Sequence, residues 1–151
     1  MDETLIIIDM QGGFSPIPSH VTSEVIAEVR RFRARRLPII VVEIVGMGRT
    51  ISVVERAVGR YHLARYVTKE GHNGAGLVRP TLANLGFPHI RSARVCGLYT
   101  SICVAETAED LAYTDGFDVT VVARACFDED DAHGSQLETW RMGYRHSVSV
   151  G

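Results

Sequence analysis

Cysteine is scarce in this chain: three residues, Cys96, Cys103 and Cys126, without metal-ligand spacing and odd in number, so no disulfide framework is implied. No apolar run approaches the roughly 20 residues that cross a bilayer. Asp2 and Glu3 precede only a short apolar run, Leu5 to Ile8, which lacks the basic start and the longer apolar stretch of a secretory signal. The simplest expectation is a reduced, cytoplasmic protein.

A surplus of positive charge is missing too. With 16 Lys+Arg against 18 Asp+Glu, the net charge of -2 argues against a general nucleic-acid or anionic-membrane surface. The one local exception is Arg30, Arg31, Arg33, Arg35 and Arg36, which reads as the solvated face and tail of a helix. Repeats, low-complexity tracts and linkers are also lacking, so 151 residues are expected to form one domain, 1–151, with a sizeable core.

What is present is an alternation of short β-rich apolar runs with helical segments, the pattern of βαβ units and a parallel sheet. Strands are expected over 4–9, 39–44, 64–69, 93–98, 118–123 and 147–150. The first, second and fifth are nearly continuous apolar runs, as strands covered on both faces are. Helices are expected over 23–35, where Val25, Ile26, Val29 and Phe32 share a face, and over 51–58, 77–85, 100–114 and 135–143. Pro80 is tolerable only in a first turn, and Asp115-Gly116 is a helix stop.

Ligands of open parallel sheets bind beyond the carboxyl ends of the strands. Asp9 closes the first strand, Lys69 the third, and Cys103 falls in the first turn of the helix after the fourth. With Thr100 or Ser101 as cap, the helix dipole and its free amides would favour a thiolate at Cys103 and could hold an oxyanion. A buried structural thiol is the commoner fate of cysteine, and Cys96 and Cys126 read as core. A carboxylate ending a buried strand is expensive unless used or well bonded, though Asp9 could simply cap its loop. Lys69 could snorkel to water.

Taken together, these residues resemble the isochorismatase-like cysteine hydrolases, the superfamily that includes nicotinamidases and N-carbamoyl amide hydrolases. The motifs are Asp9-Met10-Gln11-Gly12-Gly13-Phe14, then Lys69-Glu70-Gly71-His72-Asn73, and Gly97-Leu98-Tyr99-Thr100-Ser101-Ile102-Cys103-Val104 followed by Thr107-Ala108. The resemblance implies a three-layer αβα, Rossmann-like fold with a six-stranded parallel sheet in order 3-2-1-4-5-6, which makes strands one and four neighbours and brings Asp9 to Cys103. It also implies a cis peptide at Leu98–Tyr99 and an oxyanion hole from the Tyr99 and Cys103 backbone N–H groups.

The activity implied is hydrolysis of a small amide or ureido compound through a thioester. Asp9 takes the thiol proton, Cys103 attacks, and Lys69 keeps Asp9 ionised. Phe14, Asn73 and Tyr99, with residues 46–49, are the expected substrate contacts. A homo-oligomer, dimer or tetramer, is expected from the family; a cofactor is not.

The departures also carry information. Metal-binding nicotinamidases have an Asp-x-His pair and a further histidine after the second strand, where this chain has Glu43-Ile44-Val45-Gly46-Met47-Gly48-Arg49. No metal is therefore expected, although His62, His72 and Glu43 could be put forward as ligands. Gly74-Ala75 replaces the family's Ala-Phe, and Ser101 stands where Asp or Asn is usual.

Two rival readings remain. One is a haloacid-dehalogenase-like phosphatase using Asp9, Lys69 and the run Asp128-Glu129-Asp130-Asp131, although Gln11 occupies the place of its acid. That acidic run reads more simply as a solvated loop. The other is a catalytically silent scaffold of the same fold.

Overall fold

The computed structural model describes residues 2–143 and 148–151. Six strands form one all-parallel sheet in the order β3-β2-β1-β4-β5-β6. They are β1 (Thr4–Ile8), β2 (Ile39–Ile44), β3 (Ala64–Lys69), β4 (Ser92–Leu98), β5 (Asp118–Phe127) and β6 (Val148–Val150). The helices are α1 (Ser19–Ala34), α2 (Ser52–Val58), α3 (Val78–Leu85), α4 (Ala105–Tyr113) and α5 (Ala132–Arg141). Helix α1 packs on β1, β4, β5 and α2, while α4 and α5 pack on β5 and β6. The sheet thus lies between two helical layers, and every residue of β1 is buried, as a strand covered on both faces requires. Among the described residues no helix is long and apolar enough to cross a membrane.

Strands β2 and β3 occupy the expected residues: β2 starts directly after Pro38, and each strand is followed by a glycine-containing turn. Helix α1 begins one turn earlier than its pattern suggested. Pro18 stands at its N-cap, its carbonyl accepts the Val21 and Thr22 N–H groups, and Val21 extends the buried stripe of Val25, Val29 and Phe32. Pro80 lies in the first turn of α3, where its missing N–H costs no helical bond. Helix α5 starts at Ala132 rather than Ser135. The first residue expected in β6, Ser147, lies outside the described residues.

Two differences bear on function. The expected helix 100–114 divides into a π-helical turn, Thr100–Val104, and α4. Strand β5 runs on to Phe127, because its register against β4 slips: Val95 pairs with Val121, but Gly97 pairs with Cys126. The slip carries the chain past the exposed Arg124 and delivers Asp128 to the end of the strand, beside the π-turn.

The arginine cluster is largely tied down within the chain. Arg31 pairs with the buried Glu28 at 2.8 Å, Arg33 donates to the Ala57 carbonyl at 2.7 Å, and Arg35 pairs with Glu3 at 2.8 Å.

Candidate active site

Strands β1 and β4 are neighbours, with Ile8 paired to Gly97, so the segments that follow them open at the same rim of the sheet. At Gly97 the two backbones nearly touch. A Cβ there would lie 2.0 Å from the Ile8 carbonyl oxygen, and its φ of +120° is open only to glycine. Next comes the cis peptide Leu98–Tyr99, as expected.

Asp9 leaves β1 in the left-handed region, φ 54°, which aspartate tolerates better than most residues. The kink turns its carboxylate back under the rim, where it is 1% exposed. Lys69, at the end of β3 and 4% exposed, is the only lysine in the chain. Its Nζ donates to Asp9 Oδ2 at 3.2 Å and to the Gly71 and His72 carbonyls at 3.0 Å each. All three ammonium protons are therefore engaged, and the lysine does not snorkel to solvent.

The other carboxylate oxygen, Asp9 Oδ1, is buried without a completed hydrogen bond. The group leaning on the carboxylate is the thiol of Cys103, itself 6% exposed. Burial raises the Asp9 pKa, and Cys103 and Lys69 act against that rise. Burial and the Asp9 carboxylate push the Cys103 thiol up to about 12. This direction is opposite to the one expected from a helix dipole acting on Cys103. Cys103 sits in a π-turn that neither Thr100 nor Ser101 caps, and both burial and the neighbouring carboxylate disfavour a thiolate there.

The remaining expected contacts fall around this centre in different ways. The rings of Phe14 and Tyr99 meet edge to face at 5.6 Å, and Tyr99 continues to Phe127 at 6.4 Å, forming a half-buried aromatic wall. Residues 46–49 are lashed to the turn after β1, with Gly13 N–H donating to the Met47 carbonyl at 2.8 Å and Gly12 N–H to the Arg49 carbonyl at 3.0 Å. Asn73 spends its side chain on its own neighbourhood, accepting from Ala75 N–H at 2.8 Å and donating to Asp110 at 3.0 Å.

Gln11 has a role that the sequence motif does not state. Fully buried, it donates to the Ile44 and Gly48 carbonyls at 2.9 and 2.8 Å and accepts from Ile44 N–H at 2.8 Å, clamping the loop after β2. A phosphatase would need a proton donor at that position, and Gln11 is a strut there.

The donors weighed for a metal do not converge. Glu43 Oε2 accepts from Thr50 N–H and its hydroxyl at 2.7 and 2.6 Å, and His72 pairs with Glu106 at 3.2 Å. Among the described residues, no group of three or more His, Cys, Asp and Glu side chains has metal-binding geometry. The residues present do not fit a nicotinamidase-type metal.

Two further residues meet the turn that carries Cys103. Asp128, read from sequence as part of a solvated loop, is 7% exposed and accepts from Ser101. His133 bonds Thr100 at 2.7 Å. The signal for Asp128 is the one that marked Asp9, a carboxylate at the end of a buried strand. It was hidden because β5 read four residues too short.

Comparison with known proteins gives a consistent picture. The family described as the isochorismatase domain matches residues 3–148. The fold is similar to that of the nicotinamidase/pyrazinamidase PncA from Bacillus subtilis, with a TM-score of 0.85, 17% identity and full coverage of both chains. It is also similar to an isochorismatase family protein from Burkholderia thailandensis, with a TM-score of 0.76, 22% identity, and 98% of this chain and 90% of that one covered. A third similar structure is the YcaC gene product of Escherichia coli, described as an octameric hydrolase of unknown specificity, with a TM-score of 0.77, 18% identity, and 99% and 74% coverage. No curated protein matches at a significant level. With a match spanning nearly all of its residues and the sheet order 3-2-1-4-5-6, the chain belongs to the isochorismatase family.

Proposed function

We propose that this chain is one hydrolase domain that cleaves the C–N bond of a small amide or ureido compound through a thioester on Cys103. The observation that carries this reading is the meeting of Asp9, Lys69 and Cys103 in one nearly sealed cluster. Two ionisable groups and a thiol are costly to bury together unless they are used.

Asp9 takes the Sγ proton as sulfur bonds to the substrate carbonyl carbon, so a thiol held near 12 is no obstacle: its proton has an acceptor beside it. The oxyanion is held by the Tyr99 and Cys103 backbone N–H groups. The C–N bond then breaks, and the proton on Asp9 passes to the leaving nitrogen. Water attacks the thioester, giving one proton to Asp9, which returns it to sulfur as the acid departs. Lys69 favours the ionised form of Asp9 between steps.

Phe14 and Tyr99 supply an apolar wall for the substrate. The reacting groups are barely accessible, which fits a small substrate. The reading includes a homo-oligomer, which the family resemblance and the octameric YcaC structure support.

A silent scaffold is the second reading, and the burial of Cys103, 6% exposed, is the observation in its favour. A panel of small amides and ureido acids decides between the two, with mass detection of an acyl adduct on Cys103. Turnover with an adduct that Cys103→Ala lacks supports the hydrolase. A panel without turnover or adduct favours the scaffold.

A further inference from the structure

We propose that Asp128, with His133 beside it, is a positioning residue that clamps the turn Thr100–Val104 and so holds Cys103 against Asp9. The inference rests on the cysteine reading above, since the placement of the turn governs turnover only if Cys103 reacts.

The clamp consists of five residues. Asp128 Oδ2 accepts from the Ser101 N–H at 2.7 Å and from the Ser101 hydroxyl, while Oδ1 accepts from Glu129 N–H at 2.7 Å. His133, from α5, shares a 2.7 Å hydrogen bond with the fully buried Thr100 hydroxyl. The first two residues of the turn are thus gripped from β5 and α5, and neither caps the turn itself. Carboxylate bonds of this kind are charge-assisted and about twice as strong as neutral ones.

The turn needs such a grip. π-Turns are rare, occur often at functional sites, and here draw both the Ile102 and Val104 N–H groups onto the single Tyr99 carbonyl. Its C-terminal end runs directly into α4, so what remains to be fixed is its first residues, where Asp128 and His133 grip it. Cys103 lies two residues beyond Ser101, and a displacement of about 1 Å at a reacting atom costs on the order of 10²-fold in rate.

Asp128 and His133 also line a cavity of about 550 Å³ together with His20, Arg124 and Phe127. A shortened side chain at position 128 therefore meets open space rather than collapsing the core.

Three variants test the clamp. Asp128→Ser removes the carboxylate. Asp128→Asn removes the charge but keeps a carbonyl oxygen for Ser101. The double variant S101D/D128S returns a carboxylate from the opposite side of the same pair. Each is read by iodoacetamide alkylation of Cys103, mapped by peptide mass across pH, and by kcat and KM on any amide that the wild-type chain hydrolyses.

In Asp128→Ser the turn loosens and Cys103 leaves both its burial and Asp9. Its thiol then titrates nearer an ordinary cysteine and is alkylated roughly tenfold or more faster at pH 8, while kcat falls about 10²-fold with KM little changed. Asp128→Asn stays close to wild type, and S101D/D128S recovers both readouts. Wild-type alkylation in Asp128→Ser overturns the clamp. So does equal behaviour of the Asn and Ser variants, which would make Asp128 a mere charge, or a natively melting double variant that recovers neither readout. Hydrolysis that survives Cys103→Ala removes the cysteine reading instead, and is recognisable because it leaves the alkylation series unchanged.

Discussion

Lys69 Nζ lies 3.2 Å from Asp9 Oδ2, with both residues buried and sixty positions apart in the chain. The sheet order β3-β2-β1 joins them, since β2 spaces the two strands so that a lysine side chain can bridge from one to the other across the rim. A buried ion pair of this sort is poor evidence for stability, because desolvation cancels much of the attraction. In the proposed reading its value is chemical, since it holds a carboxylate beside the Cys103 thiol.

Removing the lysine tests that relationship. Lys69→Met leaves Asp9 buried without its cation and should destabilise the chain by about 3–5 kcal/mol in urea unfolding at pH 7. The double variant Asp9→Asn, Lys69→Met should recover part of that loss, because no uncompensated charge remains. A loss of less than about 1 kcal/mol for Lys69→Met would contradict the buried pairing.

The pH dependence has a definite sign. Burial raises the Asp9 pKa above 3.8, so the folded chain binds this proton more tightly than the unfolded chain does. The associated stability is complete below 3.8 and is lost as pH rises through the folded value. Asp9→Asn should therefore gain in urea midpoint relative to wild type on going from pH 3.5 to pH 7. In turnover the same group must be ionised, so kcat/KM should fall on an acid limb lying above the usual aspartate range. An acid limb at or below an ordinary aspartate value would remove Asp9 as the base.

Cys103→Ala should abolish hydrolysis, by at least about 10³-fold, while leaving thermal melting within a few degrees of wild type. Circular dichroism and a turnover assay on the same sample check both halves. Full activity in this variant would rule out a thioester route.

Gly97→Ala should prevent folding or cost more than about 3 kcal/mol, because its Cβ would stand 2.0 Å from the Ile8 carbonyl oxygen at a φ of +120°. Native melting of this variant would mean that β1 and β4 do not approach so closely.

Glu43 is held by Thr50 rather than left open to a cation, so EDTA should leave activity unchanged. Loss of activity that zinc, iron or magnesium restores would show that ligands converge in a way this geometry lacks.

Much of this architecture could be read without coordinates. The apolar runs of β1 and β2 encode strands covered on both faces, and the motifs around Asp9, Lys69 and Cys103 carry the family and its sheet order. Those features depend on residue type and local order, which a linear chain displays. The thiol's state depended instead on which group faces the sulfur. Local reasoning offered a helix dipole that would lower its pKa, whereas the fold supplies a carboxylate and burial, which raise it. The register slip in β5 and the resulting burial of Asp128 were invisible for a similar reason. Pairing between strands is a relation between distant segments, and a polar Arg124 inside a strand looks like its end until the neighbouring strand is in place.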